Sequence, residues 1–135
     1  MSELIIFDTS VLVDDLRTGR HRRKMEAVNG LVRTSSVVLA ELWRGVSGPA
    51  ERKFLQALGR NHPILTPTEK NWLESGQILA DIRAAQGLTP EKLRDLNFDV
   101  LIALTARSHG ARLITSNRAD FELIGRYRKF QLEVW

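Results

Sequence analysis

An α/β fold built on a parallel sheet is what this sequence predicts, and three observations carry that expectation. Short β-rich apolar runs such as "LIIF" (4–7) and "RLIT" (112–115) alternate with longer segments of helical periodicity. Glycine, proline and hydroxyl or amide residues stand at the joins, where turns and helix caps use them. Strand–helix–strand repetition implies parallel strands with helices on both faces, because each crossover must return across the sheet. No linker, low-complexity stretch or internal repeat interrupts the 135 residues, so one domain over 1–135 is expected.

The elements follow in order. "LIIF" is a first strand, and Thr9 or Ser10 is placed to cap a helix after it. Helical spacing covers about 21–29 and stops at Gly30. "LVRTS" (31–35) is a second strand, followed by a helix over 37–46 that the Gly/Pro-rich "SGPA" ends. Residues 51–60 form a further helix, and "HPILTP" (62–67) a third strand. The clearest helix spans 68–87: Thr68 caps it, Gly87 ends it, and Trp72, Leu73, Gly76, Leu79 and Ile82 or Arg83 recur at helical spacing. "PEKLRDL" (90–96) is a short helix or loop, and 98–110 is a helix with Asp99 in its first turn. "RLIT" is the fourth strand, a short helix starts near 118, and the alternation in "FQLEVW" (130–135) makes a last strand.

Composition narrows the functional classes. Apolar residues make up 43% and charged residues 27%, the balance of a folded domain rather than a disordered chain. No apolar run approaches the ~20 residues of a membrane span. The opening "MSELIIFD" carries no basic segment with a cleavage signal, and there is no cysteine for a disulfide or a thiolate metal site. A cytoplasmic protein with no membrane partner is expected. The net charge of +4 leans weakly toward an anionic partner. Its densest source, "RHRRK" (20–24), is either a solvated helix start or a patch that contacts phosphates.

The acids raise the functional question. In a doubly wound sheet, ligands bind beyond the carboxyl ends of the strands. Asp8 directly follows the first strand, and Asn117 follows the fourth. Each acid has a purely local explanation. Asp8 suits a turn or cap, Glu41 an ion pair with Arg44 three residues on, and Asp99 the positive end of a helix dipole. Asn117 and Asp120 suit a cap pair. Yet Glu41 lies among Leu39, Ala40, Leu42 and Trp43, where an unpaired carboxylate is costly. If the fold gathers these groups, their repulsion calls for a cation, and oxygen donors suit Mg2+ or Mn2+. Such ions serve phosphoryl chemistry.

The stretches "FDTSVLVD" (7–14), "LAELWRG" (39–45), "FDVLIALTARSHGARLITSN" (98–117) and "ADF" (119–121) resemble, in order, the acidic motifs of PIN-domain nucleases. The length resembles the toxin ribonucleases of bacterial toxin–antitoxin pairs, the VapC group. The resemblance implies a three-layer α/β/α PIN-like fold with a central parallel sheet of about five strands. It implies a Mg2+- or Mn2+-dependent endoribonuclease that hydrolyses RNA phosphodiesters with a metal-activated water, leaving 5′-phosphate and 3′-hydroxyl ends. Asp8, Glu41 and Asp99 match the family's three core acids. Asn117 stands at a fourth position that is often Asp, with Asp120 the next acid, so both join the expected metal and catalytic set. Ser10 and Thr115 match hydroxyls that line the family's site, and Arg20, Arg22, Arg23 and Lys24 are expected to hold the RNA backbone. A cognate antitoxin and a second copy of the chain are the implied protein partners.

Other chemistries lack their residues. His21, His62 and His109 have no metal-ligand spacing and are expected at the surface. No P-loop pattern occurs, and "DTS" lacks the second aspartate of a haloacid-dehalogenase-type phosphatase. The helix at 37–46 is apolar on nearly all sides, which predicts burial all round, with Trp43 at a contact with a partner. The rival functional reading is a non-catalytic PIN-fold module that binds RNA or protein.

Overall fold

The computed structural model describes residues 2–135. It has five strands, β1 (Leu4–Phe7), β2 (Leu31–Ser35), β3 (Ile64–Leu65), β4 (Arg112–Thr115) and β5 (Gln131–Val134). Seven helices connect them: α1 (Thr9–Thr18), α2 (Arg22–Ala27), α3 (Ser36–Arg44), α4 (Pro49–Asn61), α5 (Glu69–Gln86), α6 (Pro90–Ser108) and α7 (Arg118–Gly125). All strands are parallel, in the order β3-β2-β1-β4-β5. None of the described helices is long and apolar enough to cross a membrane.

The strand order sets the layers. From β1 the chain winds one way through β2 to β3, then jumps across to β4 and β5. Right-handed crossovers put the connections of the two halves on opposite faces. Accordingly α3 packs on α1 and α4, and α6 packs on α5 and α7. The winding reverses between β1 and β4, which pair through Ile5–Arg112, Ile6–Leu113 and Phe7–Ile114. Both strands are covered on both faces, so Ile5, Ile6, Leu113 and Ile114 are fully buried and the strands read as unbroken apolar runs.

Local chemistry explains most boundaries. α5 begins in a reciprocal capping box, with Thr68 Oγ1 accepting from Asn71 N and Asn71 Oδ1 accepting from Thr68 N, both at 3.0 Å. Gly87, at φ 62°, ends α5. Gly30 is not the stop of a helix; α2 ends at Ala27 with Val28 extended. Instead, a Cβ at Gly30 would meet Glu3 O at 2.7 Å and Ile5 Cδ1 at 2.8 Å, so glycine permits the close approach of this turn to β1.

Further expectations change. The third strand shrinks to two residues at the sheet edge, with Ile64 47% exposed, because it has one neighbouring strand. The segments 90–96 and 98–110 join into the one helix α6, started by the Thr89 cap and Pro90 with no breaker between them. Asp99 is therefore in the middle of a helix rather than in its first turn. In α5 the buried face is Asn71, Ser75, Ile78 and Ile82, while Trp72 and Leu73 are exposed at 53% and 65%. The polar members of that face bury because they are bonded: Asn71 Nδ2 donates to Ser108 Oγ, and Ser75 Oγ to Trp72 O. Finally, α3 buries Val37, Val38 and Leu42 but exposes Ala40 and Arg44, so it is not covered all round. Trp43 is half-buried against the core with the Arg52 guanidinium 5.7 Å over its ring.

The core also sets a stability test. Phe121 of α7 is fully buried and meets Phe130 edge-on at 6.4 Å. Phe121→Ala is expected to lower the unfolding free energy by about 3–5 kcal/mol, measured by urea denaturation.

Candidate metal centre

Asp8 is the first residue after β1, 3% exposed, and it caps α1. Its Oδ2 accepts from Ser10 Oγ at 2.7 Å, from Thr115 Oγ1 at 2.8 Å and from Ser10 N at 3.4 Å. The two hydroxyls are themselves aimed by the backbone, since Ser116 N donates to Ser10 Oγ and Asn117 N to Thr115 Oγ1. Each hydroxyl has one proton, and both protons go to Asp8. The 3.2 Å approach of Ser10 Oγ to Thr115 Oγ1 is thus a consequence of sharing one acceptor. Thr115 is fully buried, so its hydroxyl serves Asp8 rather than facing solvent. With Oδ2 saturated, Oδ1 of Asp8 is left buried and without any partner.

A second carboxylate with a bare buried oxygen, Asp15, shows the contrast. Its Oδ2 takes two bonds from the Arg22 guanidinium, at 3.1 and 2.9 Å, so its charge is compensated. Asp8 makes no ion pair with a cationic side chain among the described residues.

The other acids stand around the same end of the sheet. Glu41 on α3 accepts from Thr9 Oγ1 at 2.8 Å. Burial raises its carboxyl above the usual range; the Thr9 bond opposes this, the Asp8 charge adds to it, and Arg44 opposes it. Asp99 on α6 is pushed up to about 8, first by burial and then by the charges of Asp8, Glu41 and Asp120, with Lys92 opposing. A cleft of about 870 Å³ is lined by Glu41, Asp99, Asn117 and Asp120, together with Arg44 and Lys92.

Asn117 and Asp120 form the cap pair that α7 needs. Asn117 Oδ1 accepts from Asp120 N at 3.4 Å, and its Nδ2 donates to Asp120 Oδ2 at 3.1 Å. Lys92 Nζ donates to both Asp120 oxygens, at 3.0 and 3.1 Å. Lys92 carries no motif of its own; the signal for it is its place seven residues before Asp99, two turns along one helix face.

His21 corrects an expectation. It is 2% exposed rather than a surface residue, whereas His109 is exposed and His62 half-buried. Its Nε2 lies 3.3 Å from Ser116 Oγ and 3.5 Å from Asp14 Oδ2, and its ring packs on Trp135. The imidazole thus pins the turn before α2 beside the end of β4. The basic run it belongs to is exposed: Arg20 and Arg23 face solvent, Arg22 reaches Asp15, and Lys24 Nζ sits 5.4 Å over the Trp135 ring.

Among the described residues, no three His, Asp or Glu side chains converge closely enough to enclose an ion as they stand. The donor chemistry fits a hard divalent cation nonetheless. One buried carboxylate oxygen has no partner, and the Asp99 carboxyl is raised to about 8 by burial first and then by three anionic neighbours.

The comparisons with known proteins agree with this architecture. A family model described as PIN domain matches residues 5–127. No curated protein matches the chain. Among solved structures, the fold is similar to VapBC2 from Rickettsia felis bound to a DNA fragment from its promoter, with TM-score 0.71 and 25% identity over 98% of each chain. VapBC-1 from nontypeable Haemophilus influenzae is similar with TM-score 0.72 and 22% identity over 98% of each chain. A toxin–antitoxin complex from Klebsiella pneumoniae gives TM-score 0.58 and 26% identity over 87% of this chain and 89% of that one.

Proposed function

The chain belongs to the PIN-domain family, and from that premise we propose that it is a Mg2+- or Mn2+-dependent endoribonuclease, the toxin of a toxin–antitoxin pair acting in the cytoplasm. The observation that carries the nuclease reading is Asp8, a buried carboxylate with one oxygen saturated by hydroxyls and the other bare. Asp8, Glu41 and Asp99 would hold the ion, with Asn117 and Asp120 completing the shell. When bound, Mg2+ or Mn2+ supplies a water of lowered pKa and a Lewis acid for phosphate oxygens.

The chain's own residues prepare that site. Ser10 and Thr115 keep Asp8 oriented, and Thr9 does the same for Glu41. Asp99 would hold the ion as its carboxylate, so binding would require loss of its proton. Exposed Arg20 and Arg23 lie beside His21, which touches Ser116 at the acid end of the sheet, a position suited to the RNA backbone. The antitoxin is supported by the likeness to the VapBC2 complex and by a groove of about 260 Å³ between α1, α3 and α4. Val13, Leu16, Leu42 and Leu55 line that groove, which reaches Glu41. A homodimer belongs to the same proposal.

One observation favours a second reading, a non-catalytic RNA- or protein-binding module: the fourth position is the neutral Asn117, and Asp120 is already paired with Lys92. Incubating single-stranded RNA with the purified protein separates the two. Cleavage with Mn2+ that stops on chelation, and that leaves 5′-phosphate ends, supports the nuclease. RNA binding without cleavage in either Mg2+ or Mn2+ would reject it.

Asn117→Asp is informative here. The aspartate keeps the cap but sets a second carboxylate where Asn117 Nδ2 now meets Asp120 at 3.1 Å. Metal-free stability is expected to drop by about 1 kcal/mol in chemical denaturation, a lost hydrogen bond turned into repulsion. Mn2+ affinity is expected to rise in calorimetry, as an anionic donor replaces an amide.

A further inference from the structure

Building on the metal-centre reading above, we propose that Lys92 takes the place of a second cation in the acid cleft, so that the site binds one divalent ion per chain. Lys92 lies in the first turn of α6, its backbone N–H bonded to the Thr89 cap. A cation there opposes the helix dipole, so local helix energetics do not account for it. Its side chain shares a helix face with Asp99, and it lines the same cleft. There its ammonium donates to both oxygens of Asp120, at 3.0 and 3.1 Å, and supplies the positive charge that carboxylate needs.

The two ends of the cluster therefore differ. Asp8 keeps a bare, buried oxygen with no counter-charge. Asp120 has none to spare, because Asn117 Nδ2 adds a further bond to Oδ2. The charges agree with this asymmetry. The cleft acids Glu41, Asp95, Asp99 and Asp120, together with Asp8 beside them and once all ionised, are met by three fixed cations, Lys92, Arg44 and Arg94. The remaining charge of minus two matches a single divalent ion, and a second ion would leave the site cationic. The lysine is tethered, so it fills its place at every metal concentration.

Calorimetric titration of the full chain with Mn2+ alone tests this, using the wild type, Lys92→Gln and Lys92→Arg. One Mn2+ per chain is expected for the wild type and Lys92→Arg, and two for Lys92→Gln, where Asp120 is released. Lys92 is 41% exposed, and such ion pairs add little to stability, so the variants should fold. Circular dichroism melting checks this, and Lys92→Met, which keeps the packing of the stem, is the alternative should the glutamine variant fail. Two ions in the wild type, or one in both Lys92→Gln and Lys92→Met, would overturn the role of Lys92 and leave the metal centre standing. Absence of Mn2+ binding in every protein would overturn both.

Discussion

Asp8→Asn is expected to lower Mn2+-dependent RNA cleavage at least ~100-fold while the chain stays folded. A lost contribution of about 3 kcal/mol to metal binding or to charge stabilisation in the transition state corresponds to that factor. The amide oxygen can still accept from Ser10 and Thr115, as Oδ2 does now. The amide nitrogen then takes the place of the bare Oδ1, exchanging a free anionic donor for a group that cannot bind a cation. An unsatisfied buried N–H costs about 1–3 kcal/mol, but removal of an uncompensated buried charge acts in the opposite direction. Cleavage rates across a Mn2+ series, paired with thermal melts, check both halves. Activity within a few-fold of wild type in a folded variant would remove Asp8 from the site.

Asp99→Asn is expected to make the metal-free protein more stable than the wild type at pH 8 and to flatten its pH dependence. In the folded chain the Asp99 carboxyl titrates at about 8, against 3.8 for an unperturbed aspartate. Between those values the folded chain holds a proton that the unfolded chain has lost. Folding stability therefore falls as pH rises through this window, by an amount on the order of 5 kcal/mol if the group stays in place. Burial is the largest cause, followed by Asp8, Glu41 and Asp120. An asparagine carries no titrating proton and keeps the site neutral there. Urea denaturation from pH 4 to 8 with chelator present measures the difference between the two curves, which isolates Asp99 from the other carboxylates. Parallel curves would show that the carboxyl is not held protonated. Added Mn2+ is expected to reverse the order of the two proteins at pH 8, because the ion stabilises the deprotonated carboxylate of the wild type.

Both effects depend on groups whose positions were partly legible in the sequence. The strands "LIIF" and "RLIT", the cap Thr68 and the stop at Gly87 are local features, recorded by residues that touch one another along the chain. The placement of Asp8 at a strand end follows from them, as does Asn117 at the start of α7. Glu41 and Asp99 were legible as acids in apolar helical surroundings, and the ordered motifs joined them to Asp8.

What the tertiary structure alone decided lies in pairings between distant segments. The buried face of α5 runs through Asn71 and Ser75 rather than Trp72 and Leu73, because Asn71 finds Ser108, 37 residues away, to satisfy its amide. His21 is buried because Ser116, 95 residues on, and Trp135 close over it. Asp120 meets Lys92 across 28 residues, and Asp8 meets Thr115 across 107. Periodicity reports which side chains share a face of one element, since that depends on the turn of a single helix or the pleat of a single strand. A counter-charge or a hydrogen-bond partner comes from wherever chain closure brings another element. Its cost or gain depends on how much water is excluded there. Hydropathy along the chain therefore located the acids, and only the packing of α6 against α7 and of β1 against β4 determined that Asp120 is neutralised by a lysine while Asp8 is left bare.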